Sequence, residues 1–275
     1  MSSTKISIGW VFVSYFMITG GFMVAASLLG MARVDGEWVG YGVFFLGAAL
    51  GGFFAGRASP GTTIIEPAIA GVVFMLVFLG LFSMVPGSRI VFSAAGRTVL
   101  VTSLSIGFVT ALGGLVGAML GERTSAPRRS SSRLRWMGLA GLISLGMLFT
   151  ITLLIGVLMI RSGDMSDGTG PILLILGSSA FLGGWVTQAI APERMCLVSG
   201  SGFMVVGVVS IGLAVAQGAP FTGSVILGGL IFGGVGTLVG AIGARVGWAI
   251  SGERIQRAAA TEQAGGAQIP SARVR

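Results

Sequence analysis

The sequence predicts an all-α fold: a polytopic membrane helical bundle of eight transmembrane helices, arranged as two tandem parallel four-helix repeats. Three observations predict it. Of the 275 residues, 53% are hydrophobic and only 9% charged, whereas a soluble domain carries roughly 25% charged residues to cover its surface. Apolar runs long enough to cross a hydrocarbon core of about 30 Å, roughly 20 residues each, recur along the whole chain. Fragments of the first half return in the same order in the second.

The runs are 8–31, 38–56, 67–85, 98–121, 134–160, 170–191, 195–216 and 222–250. The first, from Ile8 to Leu29, exceeds the roughly 7–15 residues of a signal-peptide core, so it reads as a retained span. Ser59-Pro60-Gly61, Pro86-Gly87, Gly168-Thr169-Gly170-Pro171 and Gly218-Ala219-Pro220 punctuate the joints. Glycines inside the runs do not break them, because in lipid the backbone has no water to bond with and stays helical. The expected domains are a first repeat over 1–121, a basic Ser/Arg linker over 122–135, a second repeat over 136–252 and a disordered tail over 253–275.

Three sets of matches carry the repeat. Phe45-Leu46-Gly47 matches Phe181-Leu182-Gly183, Gly71 and Leu81 match Gly202 and Leu213, and Leu115 to Ala118 match Leu238 to Ala241. An even number of spans per copy inserts both copies the same way round, so the halves relate by an axis along the membrane normal.

Orientation follows from the cations. With the N-terminus inside, thirteen Lys and Arg residues face the cytoplasm and four, Arg33, Arg89, Arg97 and Arg161, face out. The positive-inside rule then places both termini in the cytoplasm. In the absence of eukaryotic targeting signals, the expected compartment is a bacterial inner membrane. Trp10, Trp136 and Trp248 mark one membrane interface, and Trp38 and Tyr41 the other. The net charge of +8 sits in short loops, as topology signals do, so no nucleic-acid partner is expected. Arg128, Arg129, Arg133 and Arg135 in the linker are placed to meet anionic lipid.

The sharpest pattern lies in the even-numbered spans. Gly229, Gly233, Gly236, Gly240, Gly243 and Gly247 recur at steps of 4, 3, 4, 3 and 4, and Gly107, Gly114 and Gly121 hold the same rhythm with Ala111 and Ala118 between them. Such steps stay on one helix face. A face of small residues lets a second backbone approach closely, the usual solution where lipid removes the hydrophobic drive between helices. These nine glycines are the expected helix-packing residues. The even-numbered spans should therefore form the tight seam, with the odd-numbered ones more exposed to lipid. The spacing resembles that of rotary-ATPase proteolipid rings. Their chemistry requires a midplane carboxylate, which the fourth and eighth spans lack, so that reading is set aside.

Chemistry is sparse. There is no histidine and a single cysteine, Cys196, which excludes an internal disulfide and a His-based catalytic or metal site. No Ser/His/Asp set, P-loop or dinucleotide fingerprint is present. No cofactor and no catalysis are expected. Glu66, Thr187 and Gln188 are the candidates for a polar path, with Glu66 beside Thr62 and Thr63 also readable as a helix cap. The expected function is a non-enzymatic inner-membrane scaffold or complex subunit, assembling with itself or other membrane proteins. The alternative is a transporter or channel for a small, weakly polar or hydrophobic solute.

Overall fold

A computed structural model describes residues 6–32, 36, 38–58, 64–84, 88–124, 133–162, 169–191 and 195–266. Within them the chain forms eight helices: α1 (Ile8–Met31), α2 (Val39–Ala58), α3 (Ile65–Ser83), α4 (Ser88–Arg123), α5 (Arg133–Ser162), α6 (Thr169–Ile190), α7 (Cys196–Ala216) and α8 (Gly223–Gly266). Seven are long and apolar enough to cross a membrane, and the apolar stretch of α3, Ile65–Leu81, is shorter.

Two helices outrun their expected spans. α4 begins at Ser88 rather than 98, and α8 continues to Gly266, past the boundary expected at 252. In both extensions the sequence offers good helix formers and no proline: Ala94-Ala95 in one, Ala258 to Ala260 with Glu262 and Gln263 in the other. Where the chain must turn sharply, a glycine supplies the conformation. α7 ends on Gly218 at φ 91°, with Ala219 N–H donating to the Ala214 carbonyl and Gly218 N–H to that of Val215. This Schellman arrangement requires the left-handed region, open to glycine at no steric cost.

The eight helices are not equally central. α1 packs on α2, α3, α5 and α7, while α5 packs on α1, α3, α6 and α7. α4 lies chiefly against α2 and α3, and α8 against α6 and α7. Burial follows: 61% of the membrane-length window of α1 is enclosed, against 17% of that of α8. The expectation that odd-numbered helices are the more exposed to lipid is therefore overturned for α1, while α5 is enclosed to the same extent as α4 and α6. A small-residue stripe serves a helix that covers one or two neighbours and turns its other side to lipid. A central helix must instead fill space all round, and α1 does so with Tyr15, Phe16, Met17 and Ile18.

Burial is unbroken from Val13 to Gly21 in α1 and from Leu139 to Met147 in α5. At the crossing of these two helices, Tyr15 OH and Thr150 Oγ1 lie 3.2 Å apart and form a hydrogen bond. Several helix ends gather at one end of the bundle, called here the basic end. Ser7, before α1, meets Glu66 in the first turn of α3, Arg135 of α5 meets Arg57 of α2, and Gln188 of α6 meets Met195 before α7.

Candidate functional site at the helix seams and the basic end

All nine stripe glycines face a neighbouring helix, and the α8 stripe serves two. A Cβ on Gly229, Gly233 or Gly236 would meet Ile211, Met204 or Phe203 of α7, while one on Gly243 or Gly247 would meet the carbonyls of Phe181 or Trp185 of α6. Gly240 lies between them: a Cβ there would sit 3.1 Å from the Gly200 Cα and 3.2 Å from the Ala180 carbonyl oxygen. A stripe repeating every 3.5 residues drifts about 20° per heptad on a straight helix, which carries it from one neighbour to the next. In α4 the division is similar: Gly107 and Gly114 face Met75 and Pro67 of α3, and Gly121 faces Phe53 of α2.

Approaches as close as those at the stripes lie at glycines outside them. A Cβ on Gly20 would sit 2.0 Å from the Leu142 carbonyl oxygen, and one on Gly146 would sit 2.1 Å from that of Phe16. Backbone meets backbone here, so no rotamer change can relieve a substitution. A Cβ on Gly117 would sit 2.0 Å from the Ala49 carbonyl oxygen, and one on Gly52 would sit 2.2 Å from that of Gly114. The signal for Gly117 was available, since Gly113, Gly117 and Gly121 step by four. Gly20 and Gly146 stand without periodic companions and carry no such signal.

These contacts recur along the chain. Gly146 lies 126 residues after Gly20, and Leu142 the same distance after Phe16, so the α1–α5 crossing is reciprocal. Gly52 against Gly114 becomes Gly184 against Gly240, Ala49 against Gly117 becomes Phe181 against Gly243, and Phe53 against Gly121 becomes Trp185 against Gly247. The shifts are 132 residues from α2 to α6 and 126 from α4 to α8. The matches at 45–47 with 181–183, and 115–118 with 238–241, sit one helical turn out of this register. A pattern stepping by three and four overlays itself when slid by three or four, so the sequence alone does not fix the turn.

The three polar candidates are separately engaged. Glu66, 5% exposed, accepts the Ser7 backbone N–H through Oε1 at 3.3 Å, which ties the start of α3 to the chain entering α1. Thr62 and Thr63 lie outside the described residues. Thr187 donates to the Gly183 carbonyl within its own helix at 2.7 Å. Gln188 Oε1 accepts the Met195 N–H at 2.9 Å and the Ser199 hydroxyl at 3.4 Å, bracing the turn into α7. Thr187 and Gln188 are 0% and 1% exposed. Arg33, Arg128 and Arg129, used in the charge and lipid expectations, lie outside the described residues.

A cleft of ≈480 Å³ opens at the basic end between α1, α6 and α8, lined by Trp10, Phe12, Trp185, Val186, Ala189 and Ile250 among others. Its surface is apolar apart from Ser7. Thr187 and Gln188 are not in its wall, although Trp185, Val186, Ala189 and Ile190 of the same helix are. At the corresponding place between α5, α2 and α4, Arg135 donates from Nη2 to the Arg57 carbonyl, and the Phe54 ring lies 3.4 Å from the Cβ position of Gly138. The chain matches no protein-family model, no curated protein and no solved structure. Among the described residues no group of three metal-ligating side chains comes together.

Proposed function

We propose that this chain is a non-catalytic, multi-pass protein of the bacterial inner membrane that serves as a structural subunit of a membrane assembly. Its architecture in this reading is eight spans in two tandem parallel repeats, with α3 the eighth span, both termini cytoplasmic and the basic end at the cytoplasmic surface. The membrane setting follows from seven helices long and apolar enough to cross. The repeat is supported by glycine contacts that return 126 or 132 residues on and by the matched buried stretches of α1 and α5.

One observation carries the choice of a structural role over transport. Glu66 at the start of α3, and Thr187 and Gln188 near the end of α6, are buried and bonded to protein groups, and the cleft beside α6 has largely apolar walls. A path for a polar solute needs polar groups lining a cavity; here they brace helices. The stripe glycines are occupied within the chain, so association with further copies or partners would use the outward apolar faces, not the stripes.

Mass measurement of the full chain, extracted in mild detergent, tests the assembly. A defined oligomer or a co-purifying membrane protein is expected, and a stable lone monomer at all concentrations contradicts the reading. Solute flux in liposomes tests the transport alternative. Uptake of any small solute above empty vesicles would replace the structural role.

A further inference from the structure

Two arginines meet at the basic end, and among the described residues no carboxylate pairs with either. Arg135, in the first turn of α5, donates from Nη2 to the backbone carbonyl of Arg57, next to the last residue of α2. The Arg57 guanidinium carbon lies 5.4 Å from the centroid of the Phe53 ring, and its Nε is buried with no acceptor. Among the described residues neither guanidinium has a carboxylate partner. Like charges held side by side repel, and a buried donor without an acceptor is costly.

Capping the end of α2 accounts for one N–H of Arg135, yet each guanidinium carries five donors in a planar fork. An arginine needed only as a topology signal has no reason to lie beside a second one. The backbone arrangement does not demand the charges either, because the positions one repeat away, Ala189 and Gly9, line the open cleft uncharged. The start of α5 adds the positive end of its helix dipole. Two arginines, an unsatisfied buried donor and a helix N-terminus lie together where α5 begins against the end of α2, and a tetrahedral oxyanion satisfies their chemistry.

We propose that Arg57 and Arg135 together hold a phosphate group. That chemistry is shared by the head group of an anionic phospholipid and by free phosphate. The site rests on the membrane reading, which puts these helix ends at the level of the head groups. Within it, Arg57 is the selective element: its Nε is a buried donor with no acceptor from the protein, while the residue as a whole stays partly accessible.

The test uses the full chain in phosphatidylcholine nanodiscs with and without phosphatidylglycerol, and counts retained lipid by native mass spectrometry. Wild type should retain phosphatidylglycerol in preference to phosphatidylcholine. Arg57→Gln/Arg135→Gln should lose that retention about tenfold or more, since it removes charge-assisted hydrogen bonds. Arg57→Lys/Arg135→Lys keeps the charge without the fork and should fall between, which covers the case of an unfolded Gln pair. Arg161→Gln, an exposed arginine at the opposite end of α5, should retain lipid like wild type. In lipid-free detergent, a rise in thermal midpoint with inorganic phosphate assigns the site to free phosphate, and no rise assigns it to the head group. Equal retention by wild type and the Gln pair, or no lipid preference in wild type together with no rise on adding phosphate, overturns the site alone. A wild type that will not enter the discs overturns the membrane reading and the site with it.

Discussion

The junction of α5 with α2 and α4 and that of α1 with α6 and α8 share a backbone arrangement and finish it differently. Beneath each, glycines bring the same pairs of helices into contact at the same relative positions. At the rim, one has Arg57, Arg135 and Phe54 against Gly138, and is filled. The other has Ala189, Gly9 and Val186 beside Phe12, and stays open. The difference separates two roles for sequence in this molecule. Residues at the crossings fix how close the helices come and tolerate nothing larger than hydrogen. Residues at the rim lie outside that constraint and are where the two junctions differ.

The largest effect should come from the shared part. Gly20→Leu and Gly146→Leu each drive a side chain into a facing carbonyl, and each should cost well beyond the roughly 1–3 kcal/mol of ordinary overpacking. Failure of both to yield monodisperse protein is the expected outcome in size-exclusion chromatography. Tolerance of one but not the other would break the equivalence of the two helices. Next come Gly117→Ala and Gly243→Ala, which occupy corresponding places on α4 and α8. Both should lose about 1–3 kcal/mol in reversible unfolding, by similar amounts. A difference between them larger than the loss itself would mean that the two seams are unrelated.

Gln188→Leu acts in the second half alone. It leaves the Met195 N–H and the Ser199 hydroxyl without their acceptor, at about 1–3 kcal/mol. Loss of protection at Met195 in hydrogen exchange would locate the effect, and unchanged exchange there would remove Gln188 from its bracing role. The smallest effect belongs to the open rim. Ala189→Leu projects into the cleft and should change stability by no more than about 0.5 kcal/mol. A large loss would show that the space is needed empty or filled by something specific.

Much of the fold was legible because membrane-spanning sequence is constrained by length. The positions of all eight helices follow from apolar run lengths, and the stripe glycines follow from steps of three and four. Three features were not legible, each for a physical reason. The register between halves slipped by one turn because the stripe overlays itself at that displacement. The centrality of α1 and α5 was hidden because their contact relies on two lone glycines, Gly20 and Gly146, among bulky side chains. The pairing of Arg57 with Arg135 joins residues 78 apart in sequence, across a crossing that only the folded bundle creates. In the candidate site, burial of Glu66 and Gln188 could be anticipated from their place in apolar runs. Their partners, Ser7 and Met195, could not, because both are backbone donors at the ends of other helices.

The central claim is that two four-helix units lie parallel in the membrane with α3 as a full span. Single cysteines at Ser59, Ser88 and Glu193, placed in a Cys196→Ser background, test it through labelling by a membrane-impermeant maleimide in intact cells and in inverted vesicles. Ser59→Cys and Glu193→Cys should label from the same side, the cytoplasm, and Ser88→Cys from the opposite one. Labelling of Ser59→Cys and Ser88→Cys from one side, with Glu193→Cys on the other, would mean that α3 does not cross and the halves are inverted, contradicting the account.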